Sequence, residues 1–449
     1  MAWRSRTKVA ACLAVACAAS ALLAPQARAQ QDERAVAAAS NASGQDLFRQ
    51  FAAKPGNIIF SPYSISTAMA MALSGARGDT EKEMLGALRH SLGREQIDAA
   101  NGGIAAILNG YDKSAIVPEC PPGTTLKGNR CECPPGSTGR CFASAATRPP
   151  SAKLLTANAL MLTKYGDQVS KEYAALLKNR YNAEVFDNAT LATINGWVSR
   201  KTEGKIDKIL EQLDPRSAGV LLNAVYFKSR WAAPFLARVT RDESFSLSQT
   251  QRVRLPTMQQ TGSFAVTARQ GYRALRMPYE VANLAMVIVL PNEVDGLASV
   301  SARIDAKELS EVFTALRGPT KLVTLSLPRF KTEYQASLIP AFQQAGLKLA
   351  FDQERADFSG ITGKPVPPVL LYISQIAHRA LIEVTEDGTE AAAATAIEFA
   401  VTAAAPAQRP NPELFNVDRP FQFYIVEDTT GAILFAGRIT DPRQATARR

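Results

Sequence analysis

The segment from Thr389 to Val401 alternates as a β-strand does, yet its residues are too small to hold a strand in place. Thr389, Ala391, Ala393, Thr395, Ile397, Phe399 and Val401 fall on one face, and Glu390, Ala392, Ala394, Ala396, Glu398 and Ala400 on the other. Four consecutive alanines ordinarily read as helix, because alanine has the best helix propensity. Here Gly388, the β-branched Thr389 and Thr395, and the sustained period of two favour the strand. Such a segment can stand as an exposed loop and can also slide between strands already paired, since small side chains lower the steric barrier. Gly388 supplies the pivot where the chain reverses. The strand reading implies a sheet able to admit it; a plain helix is the alternative.

The chain has 449 residues, 46% of them hydrophobic, enough for one large core or two moderate ones. Its start carries Arg4, Arg6 and Lys8, then a mostly apolar run from Val9 to Ala24, then Ala27-Arg28-Ala29. This pattern predicts a signal peptide over residues 1–29, since the apolar run is too short to cross a bilayer. Cys17 leaves a lipoprotein reading open, weakened by Ala14 where a leucine is expected. No other segment reads as a membrane span. The net charge of +10 falls to +6 once Arg4, Arg6, Lys8 and Arg28 leave with the signal. With no cluster of Lys and Arg, nucleic-acid binding is not expected.

Removing Cys12 and Cys17 leaves Cys120, Cys131, Cys133 and Cys141. In an exported chain an even set predicts disulfides, with the pairing open. Cys120-Pro-Pro-Gly-Thr and Cys133-Pro-Pro-Gly-Ser form a small repeat rich in turn residues, and residues 112–153 lack apolar periodicity. The stretch reads as a disulfide-pinned loop inserted in a larger domain: a tolerated surface insertion, or a docking module for a partner. Zinc fits poorly, because the cysteine spacing lacks two chelating pairs; no metal and no cofactor are expected.

Only two histidines are present, His90 and His378. His90 ends a predicted helix, where a cation would suit the dipole, and carries no assigned role. Ser61 stands in Phe60-Ser61-Pro62-Tyr63-Ser64, which is no nucleophile elbow, so a hydrolase is not expected.

Seven stretches in order then carry a resemblance: NIIFSPYSISTAMAMALSGARGDTEKEM at 57–84, LTANALML at 155–162, INGWVSRKTEGKIDKIL at 194–210, LLNAVYFKSRWAAPF at 221–235, SLPRF at 326–330, HRALIEVTEDGTEAAAAT at 378–395 and DRPFQFYIVEDTTGAILFAGRITDP at 418–442. The chain resembles the serpins over nearly its whole mature length, residues 42–443. The resemblance implies an α+β fold with three sheets, about eight or nine helices and an exposed reactive loop. It implies a secreted, monomeric suicide inhibitor of serine proteases, extracellular or periplasmic. When a protease cuts the loop, the loop enters the main sheet and carries the acylated enzyme with it. A serpin-fold binding protein that never inserts its loop is the competing reading. No proline or bulky charge on the inward face of Thr389–Thr395 blocks insertion.

By the same resemblance, Glu386, Gly388, Thr389, Ala391, Ala392, Ala393, Ala394 and Thr395 form the hinge. Ser61, Ser64, Asn195 and His378 form a buried polar shutter beneath the parting strands, and Trp231 marks the breach where the loop first enters. A shutter of short polar groups can re-form after strands separate, whereas an interdigitated apolar core resists. The cleaved bond in the family usually lies sixteen residues past the hinge glutamate, which gives Thr402-Ala403, with Val401 second. Alignment from the other side points to Arg409, disfavoured because Pro410 follows. A small residue preceded by Phe399, Ala400 and Val401 suits an elastase- or subtilisin-like enzyme. The region Ser91–Asp98, where some serpins carry a basic polysaccharide-binding helix, has mixed charge, so no heparin-like cofactor is indicated.

Overall fold

The computed structural model describes residues 6–111, 115–119, 125–127, 130–132, 144–148, 152–162, 166–186, 188–213, 219–364, 371–389, 411–444 and 446–447. The main sheet has seven strands: β1 (Ala152–Leu162), β2 (Glu184–Phe186), β3 (Gly219–Arg230), β4 (Phe330–Ser337), β5 (Ile373–Val384), β6 (Gly388–Thr389) and β7 (Thr446–Ala447). They lie side by side in the order β7-β4-β5-β6-β3-β1-β2. Strand β3 is buried almost throughout and apolar from Gly219 to Phe227 except at Asn223, as suits a strand covered on both faces.

A second strand system forms around the long strand Arg252–Arg269. Its first part pairs with Lys321–Pro328 and Arg241–Ser246, its last part with Tyr272–Pro278. One long strand thus serves three ladders, and where three sheets are expected the described residues form a nine-stranded sheet, the seven-stranded main sheet and two two-stranded ladders in the cysteine-rich region. Ten α-helices are present among the described residues, the tenth only four residues long.

Helix α1 spans Arg6–Ala52 and α2 spans Pro62–Gly75. Ser61 caps α2 by accepting the Ser64 amide, and Pro62 sits at the first turn, where its missing N–H costs nothing. Every residue of α2 is buried, and its alanines, serines and methionines let it run directly beneath the sheet. In α1 residues 26–31 are exposed and, among the side chains described, Val36 is the first that is fully buried. Among the described residues no helix is long and apolar enough to cross a membrane.

The faces of the main sheet bury different cores. Leu221, Val225 and Phe227 of β3 join the large core with Ile376, Ile382 and Val384 of β5. Val220, Leu222 and Ala224 face the other way, under helix α3 (Leu191–Lys201), against Ile194, Trp197 and Val198. In the cysteine-rich region, Ala115–Glu119 pairs antiparallel with Ser144–Arg148, and Thr125–Lys127 with Arg130–Glu132. Strand β1 begins at Ala152, so Ala152 and Lys153 belong to the sheet and not to the inserted loop.

Candidate functional site

The seam between β3 and β5 organises the site. These strands run parallel and pair from Ile373 opposite Gly219 to Leu381 opposite Tyr226. Beyond Tyr226 they part, and β6 occupies the gap. Gly388 lies opposite Arg230, and Thr389 lies opposite Ser229 on one side and Val384 on the other. The reversal is tight: the Thr385 amide donates to the Gly388 carbonyl at 2.9 Å. A Cβ on Gly388 would stand 2.1 Å from the Ser229 carbonyl oxygen and 2.7 Å from Arg230 Cα, so only glycine fits here.

Trp231 closes the mouth of the gap. Its amide donates to Asp387 O at 2.9 Å and its indole N–H to Thr385 O at 3.0 Å. Its ring stacks on Tyr279, with centroids 4.6 Å apart and planes 12° apart. Tyr279 in turn shares a hydrogen bond with the Thr389 hydroxyl at 2.7 Å, and burial pushes the Tyr279 phenol well above its ordinary range. Glu386 fastens the turn from outside: its carbonyl accepts the Phe235 amide at 2.9 Å. Its carboxylate accepts from Arg329 Nε at 2.8 Å and from the Thr240 hydroxyl at 2.5 Å. Burial opposes ionisation of Glu386, but these charge-assisted bonds outweigh it and hold the group below the usual carboxylate range.

Lower on the seam a polar row crosses three strands. His378 of β5, Asn223 of β3 and Asn158 of β1 are direct neighbours in register. His378 Nδ1 lies 2.5 Å from Asn223 Oδ1. Asn223 Nδ2 donates to Asn158 Oδ1 at 2.6 Å and to Ser64 Oγ of α2 at 2.5 Å. Because the Asn223 amide spends its donors on Ser64 and Asn158, its carbonyl accepts from His378, which fixes the imidazole with its proton on Nδ1. His378 Nε2 is buried without a partner. Burial pushes the imidazole down to about 3, so His378 is neutral at ordinary pH. His90 is half-buried, its Nε2 enclosed and without a partner among the described residues; burial pushes it down to about 4, so it supplies no cation to the helix end before it.

Of the four residues expected in the shutter, the structure brings together Ser64, His378 and, as cap of the same helix, Ser61. It places Asn195 elsewhere. That side chain accepts the Ile209 and Leu210 amides at 2.9 and 3.1 Å and donates to Leu210 O at 2.8 Å, holding the segment after α3 on the opposite face of the sheet. Its position in the row is taken by Asn223, with Asn158 beside it. Both were visible as isolated amides in apolar strand runs, LLNAVYF and LTANALML, where a buried amide demands partners. Ala391, Ala392, Ala393, Ala394, Thr395, Val401, Thr402, Ala403 and Arg409 lie outside the described residues, as do Cys120, Cys133 and Cys141; Cys131 is described in its backbone only.

A family model described as serpin, serine protease inhibitor, matches residues 38–442. An uncharacterised serpin-like protein of Thermococcus kodakarensis is 34% identical, over 92% of this chain and 87% of its own length. Serpin48, a highly specific serpin of the insect Tenebrio molitor, has a solved structure that is 28% identical with a TM-score of 0.71, covering 91% of this chain and 98% of that one. Human thyroxine-binding globulin, solved with its hormone, is 26% identical with the same TM-score of 0.71, covering 92% of this chain and 99% of its own. A sheet parted at its seam, a polar row beneath the parting and a family match spanning both lead to one conclusion: the chain belongs to the serpin family.

Proposed function

We propose that this chain is a secreted suicide inhibitor of serine endopeptidases, working by cleavage of the loop after Thr389 and insertion of that loop along the β3–β5 seam. The observation that carries the reading is the wedge of Gly388 and Thr389 between the two strands. Extending β6 in the registers of its two neighbours sets Ala391 between Phe227 and Ile382, Thr395 between Asn223 and His378, and Ile397 between Leu221 and Ile376. Phe399 then reaches Gly219 and Ala400 reaches Ile373, the far ends of both strands. The alternating segment thus fills the slot and overruns it by one or two residues at Val401. Its apolar face would join the large core, since Leu221, Phe227, Ile376 and Ile382 already belong to it.

Insertion must break the His378–Asn223 hydrogen bond, and Thr395 is the residue delivered between the two. A hydroxyl can accept from His378 Nδ1 and donate to Asn223 Oδ1, so the broken bond is replaced by two. Roughly a dozen new ladder hydrogen bonds at about 0.5–1.5 kcal/mol each would release on the order of 10 kcal/mol, comparable to a whole domain's stability.

The bond offered to the protease is Thr402-Ala403, with Val401-Thr402 second and Arg409 third, and the target is of elastase or subtilisin type. Residues 1–29 are the export signal; a cut after Ala29 falls in the exposed part of α1 and leaves the buried part from Val36 onward intact. The deciding experiment incubates the mature chain with elastase, subtilisin, chymotrypsin and trypsin and looks for an SDS-stable complex, with mass spectrometry to place the cut. Clean cleavage by every enzyme without a complex would instead support a binding protein that does not insert its loop.

A further inference from the structure

The main sheet has an outer edge at β4, and the segment after residue 442 is seated on it. Thr446 pairs with Glu333 and Ala447 with Tyr334, in parallel, at the middle of the eight-residue strand β4. This seating is built by a buried side chain. Asn57 Nδ2 donates to Asp441 O at 2.8 Å and to Gln444 O at 3.2 Å, while its Oδ1 accepts the Thr440 and Asp441 amides at 2.8 and 3.1 Å. Arg443 is folded back onto Asp441 at 2.8 Å. The Gln444 amide closes the turn on Asp441 O at 3.1 Å, and the chain leaves that turn to reach β4 two residues later. Residues 443–449 lie past the end of the family match at 442.

An uncovered strand edge is a row of free N–H and C=O groups and a template for any extended chain. Each copy of this protein also carries a suitable strand, the alternating segment from Thr389 to Val401, whose only charges are Glu390 and Glu398. Loop and edge are different surfaces, so loop-to-edge pairing between copies is heterologous and builds open chains, not closed dimers. We propose that β7 is a resident edge strand that keeps β4 from capturing the reactive loop of a second copy. The competing occupant is thus a second copy of this chain, through residues 390–401. Nothing in this depends on whether the loop inhibits a protease.

Four proteins test it: the mature chain, the chain truncated after Gln444, the full-length double variant Thr446→Pro/Ala447→Pro, and that double variant with Ile397→Glu/Phe399→Glu in the loop. The prolines remove the amides β7 needs while leaving the Asn57 turn intact, so this variant decides if the truncated chain fails to fold. Each is incubated well below its melting point and followed by light scattering, with hydrogen exchange of residues 330–337. The mature chain should stay monomeric. Truncation and the prolines should speed loss of monomer by at least about tenfold, and the loop glutamates should abolish that loss. Monomeric behaviour of both edge variants overturns the proposal, as does association that persists with the charged loop. A parallel assay for SDS-stable protease complexes on the same samples separates this result from the fate of the inhibitor reading.

Discussion

Thr389 and Tyr279 share a hydrogen bond of 2.7 Å in the sheet's opening, with Thr389 fully buried and the Trp231 ring stacked against the tyrosine. The first residue of the alternating segment is thus a core residue at the opening of the sheet.

Thr389→Arg places a cation where the pocket offers a neutral phenol and an indole face. Burying it unpaired costs several kcal/mol, so the side chain should swing out and drag the turn from the gap. Insertion should slow, and the variant should be cut as a substrate with its trapping of protease reduced by about tenfold or more. Unchanged stoichiometry of inhibition would show that insertion is not the mechanism.

Cleavage near Thr402 should stabilise the protein, the reverse of the usual effect of a nick. Freed at one end, Thr389–Val401 completes ladders on both sides and buries Ile397 and Phe399. Thermal melts of intact and cleaved chain should differ by tens of degrees, given how far on the order of 10 kcal/mol moves a midpoint. Equal midpoints would favour the non-inserting reading.

Thr395→Val keeps the shape and removes the hydroxyl meant for His378 and Asn223. The intact protein should melt as before, because the His378–Asn223 bond is in place. The cleaved form should lose about 1–3 kcal/mol for each polar group left unsatisfied, and Thr395→Ser should restore most of it. Comparing melts of intact and cleaved forms isolates the effect.

Acidification should weaken the fold before the carboxylates titrate. His378 and His90 are pushed down to about 3 and about 4 from an ordinary 6.5, so the unfolded chain binds protons that the folded chain refuses. Their contribution is full above about pH 6.5 and is lost as the pH falls toward those values. At pH 5 each should remove about 2 kcal/mol. Urea midpoints at pH 7.5 and pH 5 measure the sum, and His90→Gln should shrink the difference. A midpoint flat over that range would contradict the lowered basicity of both rings.

Replacing Glu119–Phe142 by a short Gly/Ser linker should leave the rate of protease trapping within a few-fold, since surface connections tolerate changes of length. Folding yield is the sensitive readout; a large fall would show that the paired segments Ala115–Glu119 and Ser144–Arg148 carry structural load.

The fold and the seam were legible through seven motifs whose order carries the family resemblance, helped by local signals. Periodicity marks the segment after Gly388, the cap Ser61 with Pro62 marks α2, and ordered motifs fix the sequence of strands. The row was legible only in part. His378 and Ser64 stand out as polar groups in apolar runs, but choosing among Asn158, Asn195 and Asn223 requires knowing which amides meet across strands. Asn195 sits on the opposite face of the sheet, a difference set by tertiary pairing and invisible to spacing. Strand β7 was missed because a two-residue strand has no period to detect, and its cause, Asn57, lies far away in sequence.

The two registers that frame Thr389 impose a counting rule on the chain beyond it. Side chains along a strand change face at every residue, so under the proposed insertion one alanine added or removed between Thr389 and Thr395 would turn Ile397 and Phe399 toward helix α3 and leave His378 and Asn223, once parted, without the hydroxyl. A two-residue change would keep the faces but carry Thr395 one pleat past that pair. Under insertion the length of this stretch is therefore as constrained as the identity of any residue in it, and parity is the first quantity to check in any redesign of the loop.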